Sequence, residues 1–242
     1  MIKPSSYRRG FTLVELLVVI AIILVLAAIS FQIMGKMRRN ADQTVVIGNM
    51  RQLGLAMASF TSDKGRYPGV NTDPVWDRAI IPYLGYNEEL PGTKTSFIKP
   101  SEAPNLAAIA KIFASPADKE GSFTDLYRRS FAIIPWTTNL QVGNTIMGWA
   151  DLPTGEGVRP AMINAPEKAA VIVQWYTNSS TVANRLGSGG HQHHGVGGPV
   201  EQLDNPKQFV LFADGHVAGV PAAMSASDFR DEYWPGKFET AN

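Results

Sequence analysis

The most apolar part of the chain lies near its N-terminus, where a helix is predicted. Between positions 11 and 31 the polar residues are Thr12, Glu15 and Ser30. Twenty helical residues rise about 30 Å, which matches the hydrocarbon thickness of a bilayer. The pattern therefore predicts a membrane-spanning helix that carries a carboxylate close to its start. A plain anchor gives no reason for that carboxylate, because a charge inside a bilayer is costly.

A second apolar pattern follows, with the period of an amphipathic helix. Five apolar residues recur at intervals of four and three and share one helix face: Val46, Met50, Leu53, Met57 and Phe60. No proline stands between positions 5 and 67, so one helix is predicted from Thr12 to Ser62. Gly65 is expected to end it in the left-handed conformation, and Pro68 prevents its continuation. The second half of this helix is suited to packing on a globular domain.

Strands dominate the predicted remainder of the chain. Strand-like runs cover residues 130–136, 144–150, 169–176 and 208–213, and short helices are predicted near 73–81 and 106–113. Asp214 and Gly215 lie between two apolar runs and predict a two-residue hairpin turn. The expected fold class is α+β, with the long N-terminal helix packed on a C-terminal antiparallel β-sheet.

Composition argues against several classes of function. With 22 Lys and Arg against 21 Asp and Glu, and no recurring basic cluster, the chain shows no electrostatic preference for nucleic acid. The sequence contains no Cys, which excludes disulfides and thiolate metal sites. No nucleophile-elbow motif frames Ser179 and Ser180. No catalytic residue is therefore predicted, and the protein is not expected to be an enzyme.

The N-terminal residues resemble a known signature. Residues 8–29, RRGFTLVELLVVIAIILVLAAI, resemble the type IV prepilin signature, in which a basic leader and a Gly precede Phe-Thr-Leu-x-Glu and an apolar helix. That family includes type IV pilins and type II secretion pseudopilins. The resemblance implies that a prepilin peptidase cleaves between Gly10 and Phe11 and methylates the new amine of Phe11. It also implies that Glu15 pairs with this amine on a neighbouring subunit and so sets the stagger of a filament.

The same resemblance implies a division of the chain and a set of partners. The expected parts are a leader peptide, a transmembrane assembly helix, an amphipathic continuation of that helix and a pilin-like globular domain: residues 1–10, 11–31, 32–62 and 63–242. The expected partners are the prepilin peptidase, identical or related pilin subunits, the inner membrane and a secretion or pilus assembly platform. The chain would cross the inner membrane once, with its C-terminal domain in the periplasm, before entering a periplasmic or surface filament. That filament would be a type IV pilus or a type II secretion pseudopilus, and the lack of Cys weakly favours the pseudopilus.

Two other uses of the N-terminal segment stay open at this stage. An exported protein that is cut after the small residues near Ser30 would begin at Phe31. A membrane-anchored binding protein would use the prepilin signal for insertion only and would bind a metal or a glycan through a His-rich loop. The N-terminus of the mature protein distinguishes the first of these from the filament subunit.

The histidines of the chain gather in one region and form the candidate for a metal site. All four lie within 26 residues: His191, His193, His194 and His216. Together with Asp214 they offer imidazole and carboxylate ligands for Zn or a similar divalent metal, and Ca is a separate option through Asp and carbonyl oxygens. The alternative is a flexible Gly-rich loop in which Asp214 and His216 are turn residues, and that alternative needs no cofactor.

Short motifs in the later chain resemble those of a large bacterial group of prepilin-like proteins. They are GRYPG, FASPAD, RRSFA and HQHHG followed by FVLFADGHV. The Cys of the group's Cys-Pro-x-Asp motif is missing before Pro116, so any thiol-dependent role is lost here. The interval between His194 and Asp214 is longer than in the group, which makes a geometry shared by the loop and the turn less certain.

Overall fold

The computed structural model describes residues 12–69, 76–91, 100–116, 127, 130–133, 137–142, 145–148, 158–163, 165–174, 207–221 and 232. Two compact units share the chain, Met1–Gln43 and Thr44–Asn242. The first unit contains the apolar helical segment, and the second contains the hydrophobic core and the sheet.

Helix α1 runs over 52 residues, from Leu13 to Lys64, and confirms the predicted long helix. Gly65 ends it with a φ of 70°, in the left-handed region that favours glycine. The Gly65 N–H donates to the carbonyl oxygen of Thr61 at 2.8 Å, which satisfies one of the last carbonyls of the helix. The predicted glycine cap is therefore confirmed.

The predicted apolar stripe of α1 forms one side of the core of the Thr44–Asn242 unit. Val46, Met50, Leu53 and Met57 are each at most 2% exposed. Phe60 is partly buried, and its ring meets that of Tyr83 edge-on with 5.7 Å between centroids. Burial of such side chains stabilises a fold by roughly 1.5–3 kcal/mol each. The stripe is thus a packing surface, as its spacing indicated.

The described residues contain six strands, four of which form an antiparallel sheet. Their bounds are β1 (Phe131–Ile133), β2 (Thr137–Val142), β3 (Thr145–Gly148), β4 (Ala170–Gln174), β5 (Lys207–Phe212) and β6 (Val217–Pro221). The sheet has the order β1-β4-β5-β6, while β2 and β3 pair separately. Leu211 of β5 lies between Ile172 of β4 and Val217 of β6. This arrangement confirms the α+β fold class, and β2 is a strand that the sequence patterns did not predict.

Helix α1 approaches the sheet closely at one glycine. A Cβ added to Gly54 would lie 3.0 Å from Cδ1 and 3.4 Å from Cδ2 of Leu211. Carbon atoms in favourable contact lie about 3.5–4.0 Å apart, so the hydrogen of glycine is what allows this approach. Gly54 is therefore a packing position of the helix against the sheet.

Short helical segments precede the sheet. Helix α2 (Trp76–Ile80) leads into a 3-10 turn at Ile81–Leu84, and helix α3 (Ala107–Ala110) lies between 3-10 turns at Pro104–Leu106 and Lys111–Phe113. The helix predicted over 106–113 is therefore confirmed, and the predicted start at 73–75 lies outside the described residues. The buried Asn49 of α1 donates its amide to the carbonyl oxygens of Lys111 and Ala114, at 3.1 and 3.0 Å. This side chain ties the second helical segment to α1.

The hairpin between β5 and β6 corrects one prediction. Its loop has three residues, Ala213–Gly215, and not the two that the Asp-Gly pair indicated. The Gly215 N–H donates to the Phe212 carbonyl oxygen, and the Phe212 N–H donates to the His216 carbonyl oxygen, both at 2.9 Å. Gly215 has a φ of 89°. This pattern is a turn followed by a left-handed glycine, which relaxes the twist mismatch of an ordinary turn in a hairpin.

Candidate functional site

A capping box forms where α1 begins. The backbone N–H and the hydroxyl of Thr12 both donate to Oε2 of Glu15, at 2.8 Å each. The Thr12 hydroxyl also accepts the backbone N–H of Glu15, at 3.2 Å. This reciprocal pairing across three residues satisfies N–H groups that have no partner within the first turn. Glu15, the predicted assembly residue, therefore helps to start the helix within its own chain.

The geometry of the capping box leaves Glu15 able to take a second partner. Both hydrogen bonds from Thr12 fall on Oε2, and the residue is exposed. Oε1 accepts neither of these two hydrogen bonds from Thr12. The predicted processing residues Gly10 and Phe11 lie outside the described residues, so the structure gives no distance from them to Glu15.

The helix that follows the capping box presents apolar side chains on every face. Residues Leu13–Phe31 have a mean hydropathy of 3.0, and none of this segment is buried within the chain. Leu13 is 80% exposed and Phe31 is 73% exposed. The hydroxyl of Ser30 donates to the Leu26 carbonyl oxygen at 2.8 Å, so this polar group is satisfied inside the helix. A helix that is apolar all round requires lipid or other helices around it.

The second candidate region, the tip of the β5–β6 hairpin, brings together two of the predicted residues. Nδ1 of His216 lies 2.6 Å from Oδ1 of Asp214, and the His216 backbone N–H donates to the same oxygen at 3.0 Å. The imidazole stacks in parallel on the ring of Phe212 with 4.4 Å between centroids. These contacts hold the ring in one orientation and engage Nδ1, so Nε2 is the ring nitrogen that the contact with Asp214 does not use.

The remaining members of the predicted metal cluster, His191, His193 and His194, lie outside the described residues. Within the described part of the chain, no group of three His, Asp or Glu side chains is placed to hold a metal ion. Asp214 contacts His216 directly and acts there as the group that orients the imidazole. The metal site therefore stays a prediction.

Tyr67 anchors the hairpin tip to the turn after α1. Its hydroxyl donates to the Ala213 carbonyl oxygen at 3.2 Å, and its backbone N–H donates to the Val158 carbonyl oxygen at 2.8 Å. Burial, and to a smaller extent the negative charge of Asp214, raises the pKa of Tyr67 above its ordinary value. The GRYPG sequence thus places a neutral phenol beneath the tip that carries Asp214 and His216.

Sequence reasoning missed the role of Thr12, although a signal for it was present. Thr12 was noted only as a polar residue inside an apolar run. The spacing Thr-x-x-Glu directly before an apolar helix is the capping-box pattern, and it would have identified Thr12 as the intramolecular partner of Glu15. The two residues form one polar unit at the end of the apolar segment.

These features define the class of the protein. Residues 5–31 match the family described as the prokaryotic N-terminal methylation motif. The long apolar helix, the shorter helices and the small antiparallel sheet that follow are a pilin-like α+β arrangement. The chain is thus prepilin-like, with an N-terminal methylation motif and an apolar helix typical of membrane-anchored prepilins. Pilin-type proteins are structural and non-enzymatic, as the sequence predicted.

A particular relative supports the same class. The chain is similar to the Type IV major pilin protein PilA of Myxococcus xanthus (strain DK1622), with 44% identity over 60 residues. The aligned segment is 25% of this chain and 27% of that protein, so the chain spans about a quarter of the length of the curated relative that it matches. No solved structure matches the chain.

Proposed function

We propose that the protein is a structural subunit of a type IV pilus-like or type II secretion pseudopilus filament. In this proposal a prepilin peptidase removes residues 1–10, and the subunits polymerise through the apolar start of α1. The observation that carries the proposal is the Thr12–Glu15 capping box at the start of α1, directly before a 19-residue apolar segment whose side chains are exposed on every face. This geometry presents a carboxylate at the junction of the processed terminus and an apolar assembly surface.

The proposed assembly step is electrostatic. A carboxylate that leaves water without a partner is strongly disfavoured, whereas a carboxylate paired with a cation and hydrogen-bonded is tolerated. Thr12 supplies two hydrogen bonds from within the chain, and cleavage before Phe11 creates an amine on each subunit. The amine of one subunit pairs with Glu15 of the next, and this pairing fixes the axial register, as buried polar groups do in coiled coils.

The proposal places the protein in the inner membrane before assembly. Segment Leu13–Phe31 crosses the bilayer once, the leader faces the cytoplasm, and the C-terminal domain faces the periplasm. Assembly moves this segment from lipid into the filament, where neighbouring helices cover the same apolar side chains. The assembly platform of a pilus or a secretion system drives this transfer. The lack of Cys weakly favours a pseudopilus over a pilus.

Two measurements on the full chain, produced in a host with a prepilin peptidase, test the proposal. Intact mass should show loss of residues 1–10 and gain of one methyl group on Phe11. Filaments recovered by shearing should be abolished by Glu15→Ala and strongly reduced by Glu15→Gln, with processing unchanged. Ser30→Ala is the matched control, because it removes a polar group of the same helix that donates its hydrogen bond to the helix's own backbone. Normal filaments from Glu15→Ala, or a mature chain that begins at Met1 or Phe31, would overturn the proposal.

A second candidate function is a membrane-anchored binding protein that uses its His-rich region. The observation in its favour is the fixed imidazole of His216, whose Nδ1 contacts Asp214 and whose ring stacks on Phe212. Metal-binding histidines commonly have a carboxylate on their other ring nitrogen. Titration of the full chain with Zn²⁺ and Ca²⁺ by calorimetry should then give binding that His216→Ala removes. For this function Glu15→Ala should leave both insertion and binding unchanged.

A further inference from the structure

The segment that follows the apolar span, residues 32–43, combines exposed apolar and basic side chains. Met34 is 61% exposed and Met37 is 66% exposed, and their spacing of three positions places both on one side of α1. Arg38 is exposed next to that side, Arg39 is exposed on the opposite side of the helix, and Lys36 adds a third basic residue to the sequence. Apolar and cationic side chains at the end of a span are suited to the interfacial layer of a membrane.

One basic side chain of this segment, that of Arg39, is directed back toward the span. Nη1 of Arg39 lies 4.0 Å from the place that a Cβ on Gly35 would occupy, so its guanidinium reaches back about one turn. Arg38 and Arg39 are both exposed. Both arginines therefore lie in the part of α1 that follows the span, where an external anion can reach them.

The distances along the helix match a bilayer interface. The 19 residues of Leu13–Phe31 rise about 28 Å, close to the roughly 30 Å hydrocarbon core. Gly35 lies four residues beyond Phe31, or about 6 Å farther along the axis. The headgroup layer on each side of a bilayer is about 5–7 Å thick. A guanidinium at the level of Gly35 therefore lies in the phosphate layer, while Met34 lies at the upper limit of the acyl chains.

We propose that Met34, Met37, Arg38 and Arg39 form a binding surface for anionic phospholipids, with the two arginines on lipid phosphates and the two methionines in the interfacial layer beside them. This inference rests on the membrane insertion of Leu13–Phe31 but not on polymerisation. Each basic residue near an anionic bilayer contributes about 1 kcal/mol, or roughly a fivefold preference for anionic over zwitterionic lipid. The contact holds the subunit at a fixed depth in the bilayer until assembly removes it.

The test uses the full chain in nanodiscs made of a mixture of phosphatidylcholine and phosphatidylglycerol. Native mass spectrometry of the released protein gives the ratio of the two lipids that remain bound, relative to their ratio in the disc. Wild-type protein should retain phosphatidylglycerol preferentially, and the variant with Arg38→Gln and Arg39→Gln should lose about fivefold of this preference for each arginine. High salt should reduce the wild-type preference, because the attraction is screened.

The control variant carries Arg51→Gln and Lys168→Gln, which remove the same net charge at exposed positions of the other unit. All variants keep the basic residues of the leader, so the contribution of the leader cancels in the comparison. Three results would overturn the inference: no preference for phosphatidylglycerol in the wild type, an unchanged preference in the Arg38–Arg39 variant, or an equal loss in the control. A chain that is not retained in the discs at all would instead contradict the membrane insertion of the span.

Discussion

The contact between Gly54 and Leu211 allows the packing of α1 on the sheet to be tested with two glycines of the same helix. An added Cβ at Gly48 would meet no atom within 4 Å, whereas at Gly54 it would lie 3.0 Å from Leu211 Cδ1. Replacement of a helical glycine by alanine raises the free energy of unfolding by about 0.5–1 kcal/mol when the new methyl group has room. Gly48→Ala should therefore stabilise the fold by this amount.

Gly54→Ala should lose this gain and become destabilising. Relief of the contact requires Leu211, which is 1% exposed, to move by roughly 0.5–1 Å within a packed core. Overpacking of this kind costs about 1–3 kcal/mol, so the net change should lie between about 0 and 2.5 kcal/mol of destabilisation. The difference between the two variants isolates the contact, since both share the change in helix propensity.

The assay is urea denaturation of the full chain in mild detergent, followed by tryptophan fluorescence, to which the buried Trp76 contributes. Leu211→Val provides the second arm, because it removes both Cδ methyl groups that crowd position 54. In that background Gly54→Ala should cost less than it does in the wild type, by about 1 kcal/mol or more. If Gly54→Ala stabilised the wild type as much as Gly48→Ala does, the close approach of α1 to β5 would be wrong.

Three further outcomes can be measured in the same denaturation assay. Asn49→Ala should destabilise the fold by about 2 kcal/mol, because a buried side chain and the two hydrogen bonds that it donates are lost. Gly65→Ala should cost about 1 kcal/mol, because φ is 70° there, whereas a neutral effect would contradict the left-handed cap. The hydrogen bond from the Tyr83 hydroxyl, followed by the charge of Lys64, holds the pKa of Asp63 below its ordinary value. The stabilisation from these contacts of Asp63 should be fully present at pH values above the ordinary pKa of Asp63 and should be lost as the pH falls through the lowered pKa. Tyr83→Phe should make the stability of the fold less sensitive to acid.

The elements of this fold that follow from simple periodicity were predictable from the sequence. The stripe from Val46 to Phe60 repeats every three or four residues, and burial of these residues is what the structure shows. The end of α1 depends on Gly65, so its position was also predictable from neighbouring residues. Strand β4 is a continuous apolar run, so its presence was clear although its partners were not. These features need no information about distant residues.

The missed features depend on contacts between residues that are far apart in the sequence. The packing role of Gly54 becomes visible only when Leu211 is placed opposite. Asn49 lies on an apolar face, and its two acceptors are more than 60 residues away. The hairpin loop was predicted one residue too short. A two-residue loop would pair His216 with Ala213, whereas the register of the sheet pairs His216 with Phe212. Packing and register, rather than local preference, decide these cases.

The candidate assembly site combines both kinds of information. Glu15 was identified from its position in an apolar run, but its state within the single chain follows from Thr12. If subunits polymerise as proposed, Glu15 moves from lipid into the filament without passing through a state that lacks hydrogen bonds. The capping box then lowers the free energy of the Glu15 carboxylate while the subunit is in the membrane. The amine of the neighbouring subunit adds the positive charge that the hydroxyl and amide of Thr12 do not supply. Thr12→Val should therefore destabilise the membrane-inserted subunit more than the completed filament. The difference separates the contribution of Thr12 from that of the neighbour's amine to the stability of the Glu15 carboxylate.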